Sequence, residues 1–413
     1  MAVSSAKEWK CLGLNMWQQV IVCLILGILA GLAFEEKADE FKILGIIFLK
    51  LIKMVVAPLI FCALVAGITS LSDAQHFKGM AIKGTLAYMA TAIMAVCMGL
   101  LLGTLFEPGV GVAKPIVDSV MTTAIPPLAI KDFLLSLIPG NIIHSMANDM
   151  YLQIVIFAIF TGMVINKVSD KTKMVKELNQ QMTHIIFKMI EIIVRFAPLA
   201  VFGFIASMVG TTGMEVITSL INLVGLVIAA CIMQYLLFGL LIMVFGKISP
   251  LPFYRKMVPT QLMAFSTSSS KATLTTAMGE LQEKMGASER SVNFMMPLGA
   301  CINMDGTAIY LGLCAMFFAQ IYGIHLGAAD YMMLILTCTL GSIGAAGVPS
   351  GSIIFMGMVL TSVGIPMEGI GMILGVDRIL DMFRTTVNIT GDAAITLIID
   401  SNEGELNKTA YNA

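Results

Sequence analysis

Charged residues are scarce in this chain of 413 residues. Asp, Glu, Lys and Arg make up 12% of the sequence, whereas 58% of the residues are hydrophobic and the mean hydropathy is +0.90. Soluble domains carry about 25% charged residues. This shortage leaves too little polar surface for a water-soluble protein, so the composition predicts a membrane protein. The net charge of −1 gives no reason to expect nucleic acid as a partner.

Cysteine motifs and a cleavable leader are also missing. The eight cysteines are scattered, and no CxxC pair occurs among them. Those within apolar runs, such as Cys62, Cys97, Cys231 and Cys338, are typical of small buried side chains rather than disulfides or metal sites. No small-residue cleavage site follows the first apolar run. We therefore expect that run to be retained as a span rather than removed as a signal peptide.

Long apolar runs dominate what is present. A helix needs about 20 residues to cross a bilayer. Runs of this kind fall near 16–34, 43–71, 80–105, 152–166, 183–209, 214–245, 292–323 and 367–400. The sequence therefore predicts an all-α polytopic membrane protein with eight transmembrane helices.

Basic residues recur in alternate loops between these runs. The N-terminus has Lys7 and Lys10, and the loop after the second run has Lys78 and Lys83. The loop after the fourth run has Lys167, Lys171, Lys173 and Lys176, and the loop after the sixth run has Lys247, Arg255 and Lys256. The intervening loops EEKADE and EPGVGVAKP lack this excess. Because cytoplasmic loops are enriched in Lys and Arg, the pattern predicts that the N- and C-termini are both cytoplasmic.

Two apolar segments, about 250–287 and about 331–363, are interrupted by polar or glycine-rich tips, FSTSSSKATL and SIGAAGVPSGS. Each arm is too short to span a bilayer. Irregular backbone at membrane depth persists only where it is buried in protein or lines a cavity, so we expect two re-entrant helical hairpins. The first enters from the cytoplasm and the second from outside, and each precedes a span with polar groups. This arrangement predicts inverted repeats, as in secondary transporters.

A stripe of polar side chains lies on the last apolar run. Asp377, Asp381, Arg384, Asn388 and Asp392 are spaced by 4, 3, 4 and 4 residues, which places them on one face of a helix. Ionisable groups inside a membrane are costly and normally face a cavity, a partner or an ion path. The stripe predicts a binding site for a charged solute and its coupling cations.

These motifs resemble those of the dicarboxylate/amino acid:cation symporter family. The resemblance rests on SSS at 268–270, NMDGTA at 303–308, GAAGVPSG at 344–351 and LDMFRTTVNITGD at 380–392, and it covers essentially the whole chain. It implies a secondary active transporter, not an enzyme, in the inner membrane of a prokaryote. The expected cargo is L-aspartate, L-glutamate or both, with sodium as coupling ion and no covalent cofactor. The alternative is a proton-coupled glutamate/aspartate or dicarboxylate symporter.

The resemblance also implies a homotrimer whose subunits each contain two domains. Segments 1–71 and 111–210 would form a trimerising scaffold with helices 1, 2, 4 and 5. Segment 72–110, which is helix 3, and segment 211–413 would form a transport domain that moves against it by alternating access. The latter segment would hold helix 6, hairpin 1 (about 250–287), helix 7 (about 292–323), hairpin 2 (about 331–363) and helix 8 (about 367–400).

Individual residues of the substrate site follow from the resemblance. Arg384 would hold the side-chain carboxylate of the substrate, because a guanidinium binds a carboxylate bidentately; the alternative is a structural ion pair with Asp377 or Asp381. Asp381 would bind the α-ammonium, which a plain dicarboxylate lacks. Asn388 would bind the α-carboxylate. Further substrate contacts are implied for Ser269, Ser270, Thr307, Gly347, Val348 and Thr385.

Asp305 and Asp392 have no cationic partner nearby in the sequence. A buried carboxylate needs a countercharge, and hard cations prefer oxygen ligands. The resemblance implies that both residues bind sodium; the alternative is a protonated, hydrogen-bonded carboxyl, which a proton-coupled relative would share. The other implied cation ligands are Tyr88, Thr91, Gly299, Cys301, Asn303, Met304, Ser342, Ile343, Ala345 and Asn388.

The chain departs from the family pattern at several positions. Ala92 stands where a serine is common and removes a hydroxyl from one sodium site. Lys271 replaces a small residue in the first tip. Leu311 occupies a position that is glutamate in proton- and potassium-coupled mammalian members, and it cannot carry a proton.

Two other classes of protein fit the sequence less well. An intramembrane aspartyl protease would need a motif such as GxGD, which the sequence lacks. An ion channel is disfavoured because the charges on the last run alternate in sign and suit a zwitterion better than a permeant ion.

Overall fold

The computed structural model describes residues 16–70, 78–111, 135, 137–345 and 351–413. Every regular element in this part of the chain is a helix, which confirms the predicted all-α class. The α-helices are α1 (Met16–Phe34), α2 (Lys42–Ser70), α3 (Lys78–Phe106), α4 (Ile142–Ala147), α5 (Tyr151–Val168), α6 (Lys173–Val194), α7 (Ala197–Thr212), α8 (Glu215–Phe245), α9 (Pro250–Thr267), α10 (Ser270–Gly279), α11 (Glu289–Ile302), α12 (Asp305–Tyr322), α13 (Ala328–Gly344), α14 (Gly351–Ser362), α15 (Ile370–Glu403) and α16 (Lys408–Asn412).

Several of these helices are long and apolar enough to cross a membrane. Within the described ranges there are five such segments, or six if the bent pair α6 and α7 is one span. The five are Gln18–Thr69, Gly79–Phe106, Tyr151–Val168, Ile217–Phe245 and Glu289–Tyr322. Together with the composition, they describe a polytopic membrane protein.

The helices pack in two groups. In the first, α1 lies along α7, and α2 contacts α5, α6 and α7. In the second, α3 lies along α12 and α8 lies along α15, while α9, α11 and α12 also pack on α15. Contacts between α15 and α7 join the two groups. The polar stripe on α15 therefore lies in the centre of the second group.

Two pairs of short helices belong to this second group. α9 and α10 pack on each other and are separated only by Ser268 and Ser269. Ser268 adopts a left-handed conformation (φ +50°), which reverses the chain direction at this tip. α13 and α14 also pack on each other. The tip between them, including the predicted site residues Gly347 and Val348, lies outside the described residues.

The predicted span over 292–323 is broken in its middle. α11 ends at Ile302 and α12 begins at Asp305, while Asn303 and Met304 leave the helical conformation (ψ 102° and 51°). Both residues at this break are buried. Non-helical backbone is tolerated there because it is enclosed by protein. The sequence analysis expected a continuous helix and did not predict this break.

The short helix α16 ties the end of the chain to α9. Tyr411 is fully buried, and its hydroxyl donates to the carbonyl of Ser249 at 2.6 Å. Burial raises the pKa of the Tyr411 phenol to about 12, so it remains a neutral donor near pH 7. The Lys256 ammonium donates to the carbonyls of Lys284, Ala410 and Tyr411 at 2.8–2.9 Å. These bonds fix the chain end against the base of the α9–α10 pair.

Candidate functional site

A cavity of about 70 Å³ lies between the two pairs of short helices, the start of α12 and the middle of α15. Its lining is mainly polar and includes six of the nine residues predicted to bind substrate. The lining residues are Ser268, Ser269, Ser270, Met304, Thr307, Ala345, Gly351, Ser352, Asp381, Thr385 and Asn388. Residues far apart in the sequence are thus brought together around one small polar space.

The N-terminus of α10 forms one wall of this cavity. Ser269 caps the helix, because its hydroxyl oxygen accepts from the backbone N–H of Ala272 at 3.3 Å. Ser270 is the first residue of α10 and is buried. A helix N-terminus carries free N–H groups and a partial positive charge, which favour an anion. This wall can therefore bind a carboxylate.

Arg384 is fully buried and is not among the residues that line the cavity. Its guanidinium donates to Asp377 Oδ1 and to Asp381 Oδ1, each at 2.9 Å. The guanidinium carbon also lies 4.1 Å from the centre of the Tyr310 ring, in a cation–π contact. Both structural ion pairs that the sequence left open are formed here. The Nε–H group of Arg384 has no hydrogen-bond partner within the described ranges, so a ligand carboxylate can bind there or take the place of one of the aspartates.

Asp381 connects Arg384 to the cavity. Its carboxylate lines the cavity and pairs with Arg384, and its other oxygen lies 3.6 Å from Arg378. The formal charges of Asp377, Asp381, Arg378 and Arg384 cancel. A ligand ammonium that engages Asp381 therefore competes with these two arginines for the same carboxylate. The sequence analysis assigned no role to Arg378, although its position within the charged stripe was a usable signal.

Asn388 holds the start of α12 against α15. Its Oδ1 accepts from the backbone N–H of Gly306 at 2.8 Å, and its Nδ2 lies 3.1 Å from the sulfur of Met304. A side chain on Gly306 would bring its Cβ within 2.6 Å of the Arg384 carbonyl oxygen. Glycine therefore allows the close approach of the two helices. The amide of Asn388 lines the cavity from this fixed position.

A second polar cluster lies where α3 meets the break between α11 and α12. The hydroxyl oxygen of Thr91 is 3.3 Å from Asp305 Oδ1, 3.5 Å from Asn303 Oδ1 and 3.0 Å from the Tyr88 carbonyl oxygen. All four residues are buried. One hydroxyl hydrogen cannot satisfy three acceptors at once. This concentration of oxygens suits a small hard cation.

Asp392 continues the same network on α15. Its Oδ1 accepts from the side-chain amide of Asn303 at 2.9 Å, whereas Oδ2 has no hydrogen-bond partner within the described ranges. The Tyr88 hydroxyl donates to the Met295 carbonyl at 3.1 Å and lies 3.4 Å from the Asp392 carbonyl. A Cβ on Gly299 would lie 2.6 Å from Asp392 Oδ1, so glycine makes room for this carboxylate.

The remaining predicted cation ligands make fewer contacts with the oxygen cluster around Asp305 and Asp392. The Ser342 hydroxyl donates to the Thr339 carbonyl within α13. Ala345 and Met304 line the small cavity rather than the oxygen cluster. Cys301 and Ile343 are half-buried. No hydrogen bond found among the described residues links Ser342 to Asp305 or Asp392.

Gln234 on α8 is a site residue that the sequence analysis missed. Its side chain is fully buried, and Nε2 donates to Asp305 Oδ2 at 2.8 Å. It belongs to no motif, since it stands alone in an apolar run. The available signal was the cost of placing an amide inside a membrane span, which usually marks a functional partner.

Known transport proteins resemble this chain over nearly its whole length. The model of the sodium:dicarboxylate symporter family matches residues 16–402. C4-dicarboxylate transport protein 2 of Mesorhizobium japonicum is 32% identical over 412 residues, which cover 98% of this chain and 93% of that protein. The C4-dicarboxylate transport protein of Rhizobium leguminosarum is 31% identical, with the same coverage. The proton/sodium-glutamate symport protein of Bacillus caldotenax is 32% identical and covers 94% of this chain and 95% of that protein.

Proposed function

Because the chain belongs to the sodium:dicarboxylate symporter family, we propose that it is a secondary transporter that imports acidic amino acids with sodium. The proposed cargo is L-aspartate, L-glutamate or both. The family membership makes the protein a membrane symporter for a small anionic molecule and a cation, and not an enzyme. The choice of an amino acid over a plain dicarboxylate, and of sodium over protons, is our proposal.

The ion pair between Asp381 and Arg384 is the observation that favours an acidic amino acid over a plain dicarboxylate. The two side chains lie 2.9 Å apart at the edge of the cavity. An acidic amino acid can replace both halves of this pair, because its ammonium binds Asp381 while its side-chain carboxylate binds Arg384. A plain dicarboxylate offers nothing to Asp381. If the dicarboxylate took Arg384, Asp381 would keep only its longer contact of 3.6 Å to Arg378 and would lose part of its charge compensation.

Ligand-induced stabilisation of the purified protein tests this choice. A ligand that binds only the folded state raises its stability by RT ln(1 + [L]/Kd). We expect aspartate or glutamate, in the presence of sodium, to raise the melting temperature, whereas succinate at the same concentration leaves it unchanged. Equal stabilisation by succinate would contradict the assignment of Asp381 to the ammonium.

A proton-coupled dicarboxylate symporter is the second candidate. It is favoured by the names of relatives from Mesorhizobium japonicum and Rhizobium leguminosarum, which are called C4-dicarboxylate transport proteins. Against it stands the position of Asp381 on the cavity wall, where it would repel a doubly negative ligand. Leu311 is buried and cannot carry a proton, which removes one route for proton coupling.

We also propose eight spans and two re-entrant hairpins. The segment Gln18–Thr69 has 52 residues, about 78 Å at 1.5 Å per residue, which is enough for two crossings of a 30 Å core. The other spans would be α3, α5, α6 with α7, α8, α11 with α12, and α15. The hairpins would be α9 with α10 and α13 with α14, whose arms of 18, 10, 17 and 12 residues are mostly too short to cross.

The two groups of packed helices support the proposed division into domains. α1, α2, α5, α6 and α7 would be the scaffold, within segments 1–71 and 111–210. α3 and α8 to α16 would be the transport domain, within segments 72–110 and 211–413. The homotrimer, the cytoplasmic termini and the prokaryotic inner membrane complete the proposal and rest on the family resemblance and on the distribution of basic residues.

The buried oxygens around Asp305 and Asp392 are the proposed sodium sites. The first would combine Asp305 with Thr91, Asn303 and the Tyr88 carbonyl, which cluster in the structure. The second would centre on Asp392, with backbone carbonyls nearby. Both carboxylates are 0% exposed, so a cation or a proton is needed to offset the cost of burying their charge.

A further inference from the structure

Gln234 has an unpaired oxygen in the interior of the second helix group. Its side chain projects from the apolar helix α8 and is 0% exposed. The amide nitrogen donates to Asp305 Oδ2 at 2.8 Å, but no donor within the described ranges reaches the amide oxygen Oε1. A buried acceptor without a partner costs about 1–3 kcal/mol. A structural amide in a membrane span would be expected to have both of its ends satisfied.

The unpaired oxygen lies beside the oxygen cluster described above. Asp305 Oδ2 binds Gln234, and Asp305 Oδ1 faces the Thr91 hydroxyl. The two ends of an amide group are about 2.3 Å apart and chemically opposite, one a donor and one an acceptor. Rotation about the last side-chain torsion of glutamine exchanges them at little cost, because that torsion is broad.

We propose that Gln234 is a ligand of the cation at Asp305 and changes its role when the cation binds. Without the cation, its N–H groups stabilise the bare carboxylate. With the cation in place, the amide turns and Oε1 coordinates the ion together with Asp305, Thr91 and Asn303. α8 thus supplies one oxygen, and α3 and the α11–α12 break supply the others. This inference rests on the sodium coupling proposed above.

Replacement of Gln234 by methionine tests the assignment. Methionine keeps the length and flexibility of the side chain but offers no amide. We expect Gln234→Met to raise the sodium concentration for half-maximal stabilisation at least tenfold. The melting temperature without sodium should fall only modestly, because removal of the unpaired oxygen partly offsets loss of the bond to Asp305. A purely structural glutamine would leave the response to sodium unchanged, and that result would overturn the proposal.

Two further variants complete the test. Gln320→Met is the control, since Gln320 is a half-buried amide near the end of α12 whose two ends bond to the backbone of Gly103 and Gly109; its sodium response should equal that of the wild type. If Gln234→Met does not fold, Gln234→Glu tests whether this side chain binds the cation, because glutamate keeps an oxygen at this position. It should bind sodium at least as tightly as the wild type above pH 8, and a tenfold loss would overturn the proposal.

The sodium response of the wild type distinguishes a failure of the proposed sodium coupling from a failure of the ligand assignment of Gln234. A wild-type protein that sodium does not stabilise would contradict the sodium coupling and the role of Gln234 together. A clear sodium response in the wild type that persists unchanged in Gln234→Met would leave the coupling intact and overturn only the ligand assignment.

Discussion

At the scale of single residues, the site contains ion pairs with which a charged ligand competes. Arg384 is shared between Asp377 and Asp381, and Asp381 alone also faces the cavity. Such an arrangement keeps the charges compensated when no substrate is bound. It also makes the site selective, because only a ligand with both an ammonium and an additional carboxylate can take over both partners of the Asp381–Arg384 pair.

Arg384→Cys should therefore abolish the uptake of aspartate and glutamate. It removes the proposed partner of the substrate side-chain carboxylate, and a buried charge that loses its partner costs about 3–5 kcal/mol, which corresponds to more than a hundredfold in affinity. Initial uptake rates in liposomes measure the effect. Arg290→Cys is a suitable control, since Arg290 pairs with Glu405 outside the site. Wild-type affinity for aspartate in Arg384→Cys would refute the role of the arginine.

Asp392→Asn should weaken the dependence of uptake on sodium. The change removes a full negative charge from a buried position while keeping the shape of the side chain, and the bond from the Asn303 amide can be replaced by one to the new carbonyl. We expect the sodium concentration for half-maximal uptake to rise about tenfold, equivalent to 1.4 kcal/mol. An unchanged sodium curve would show that Asp392 is not a cation ligand.

At the scale of elements, the two pairs of short helices enclose the cavity from opposite sides. The sequence predicted both pairs, since short apolar arms around Ser- or Gly-rich tips leave few alternatives. The break at Asn303 and Met304 was not predicted, although NMDGT contains the poor helix formers Asn303, Asp305 and Gly306. Contacts from Asn388 stabilise the break. The approximate positions of most apolar helices therefore followed from composition, whereas the bend between α6 and α7 within the predicted run 183–209, and the interruption at the site, did not.

The α13–α14 pair should act as a gate over the cavity. Ser352, near the start of α14, is buried, lines the cavity and donates to Asp377 at 3.3 Å. On a background without the eight native cysteines, Ser352→Cys should react readily with a polar maleimide in the absence of ligands. Sodium and aspartate together should protect it, because they favour the closed state by direct contact.

Thr361→Cys provides the comparison for this labelling experiment. It lies at the far end of α14, away from the cavity, and is partly exposed. Its reactivity should not respond to ligands. If Ser352→Cys reacts at the same rate with and without sodium and aspartate, the α13–α14 pair is a fixed wall and not a gate.

At the scale of the whole molecule, the buried charged residues of the described ranges lie in the second group of helices. They are Glu280, Asp305, Asp377, Arg384, Asp392 and Asp400. The motif residues of this group could be identified from the sequence, because ionisable groups in apolar helices are conspicuous. The pairings between these residues could not be identified from the sequence. Whether Arg384 pairs with the substrate or with the aspartates depends on side-chain geometry. The same limit explains why Gln234, a single amide without a motif, was found only in the structure.

Concentrative uptake by the reconstituted protein tests the central claim most directly. Liposomes that contain the purified protein are given labelled aspartate and an inward sodium gradient at equal pH on both sides. The account predicts transient accumulation of aspartate above equilibrium, no inhibition by a hundredfold excess of succinate, and no accumulation when a proton gradient replaces the sodium gradient. Accumulation of succinate instead of aspartate, or equal accumulation driven by protons without sodium, would contradict it.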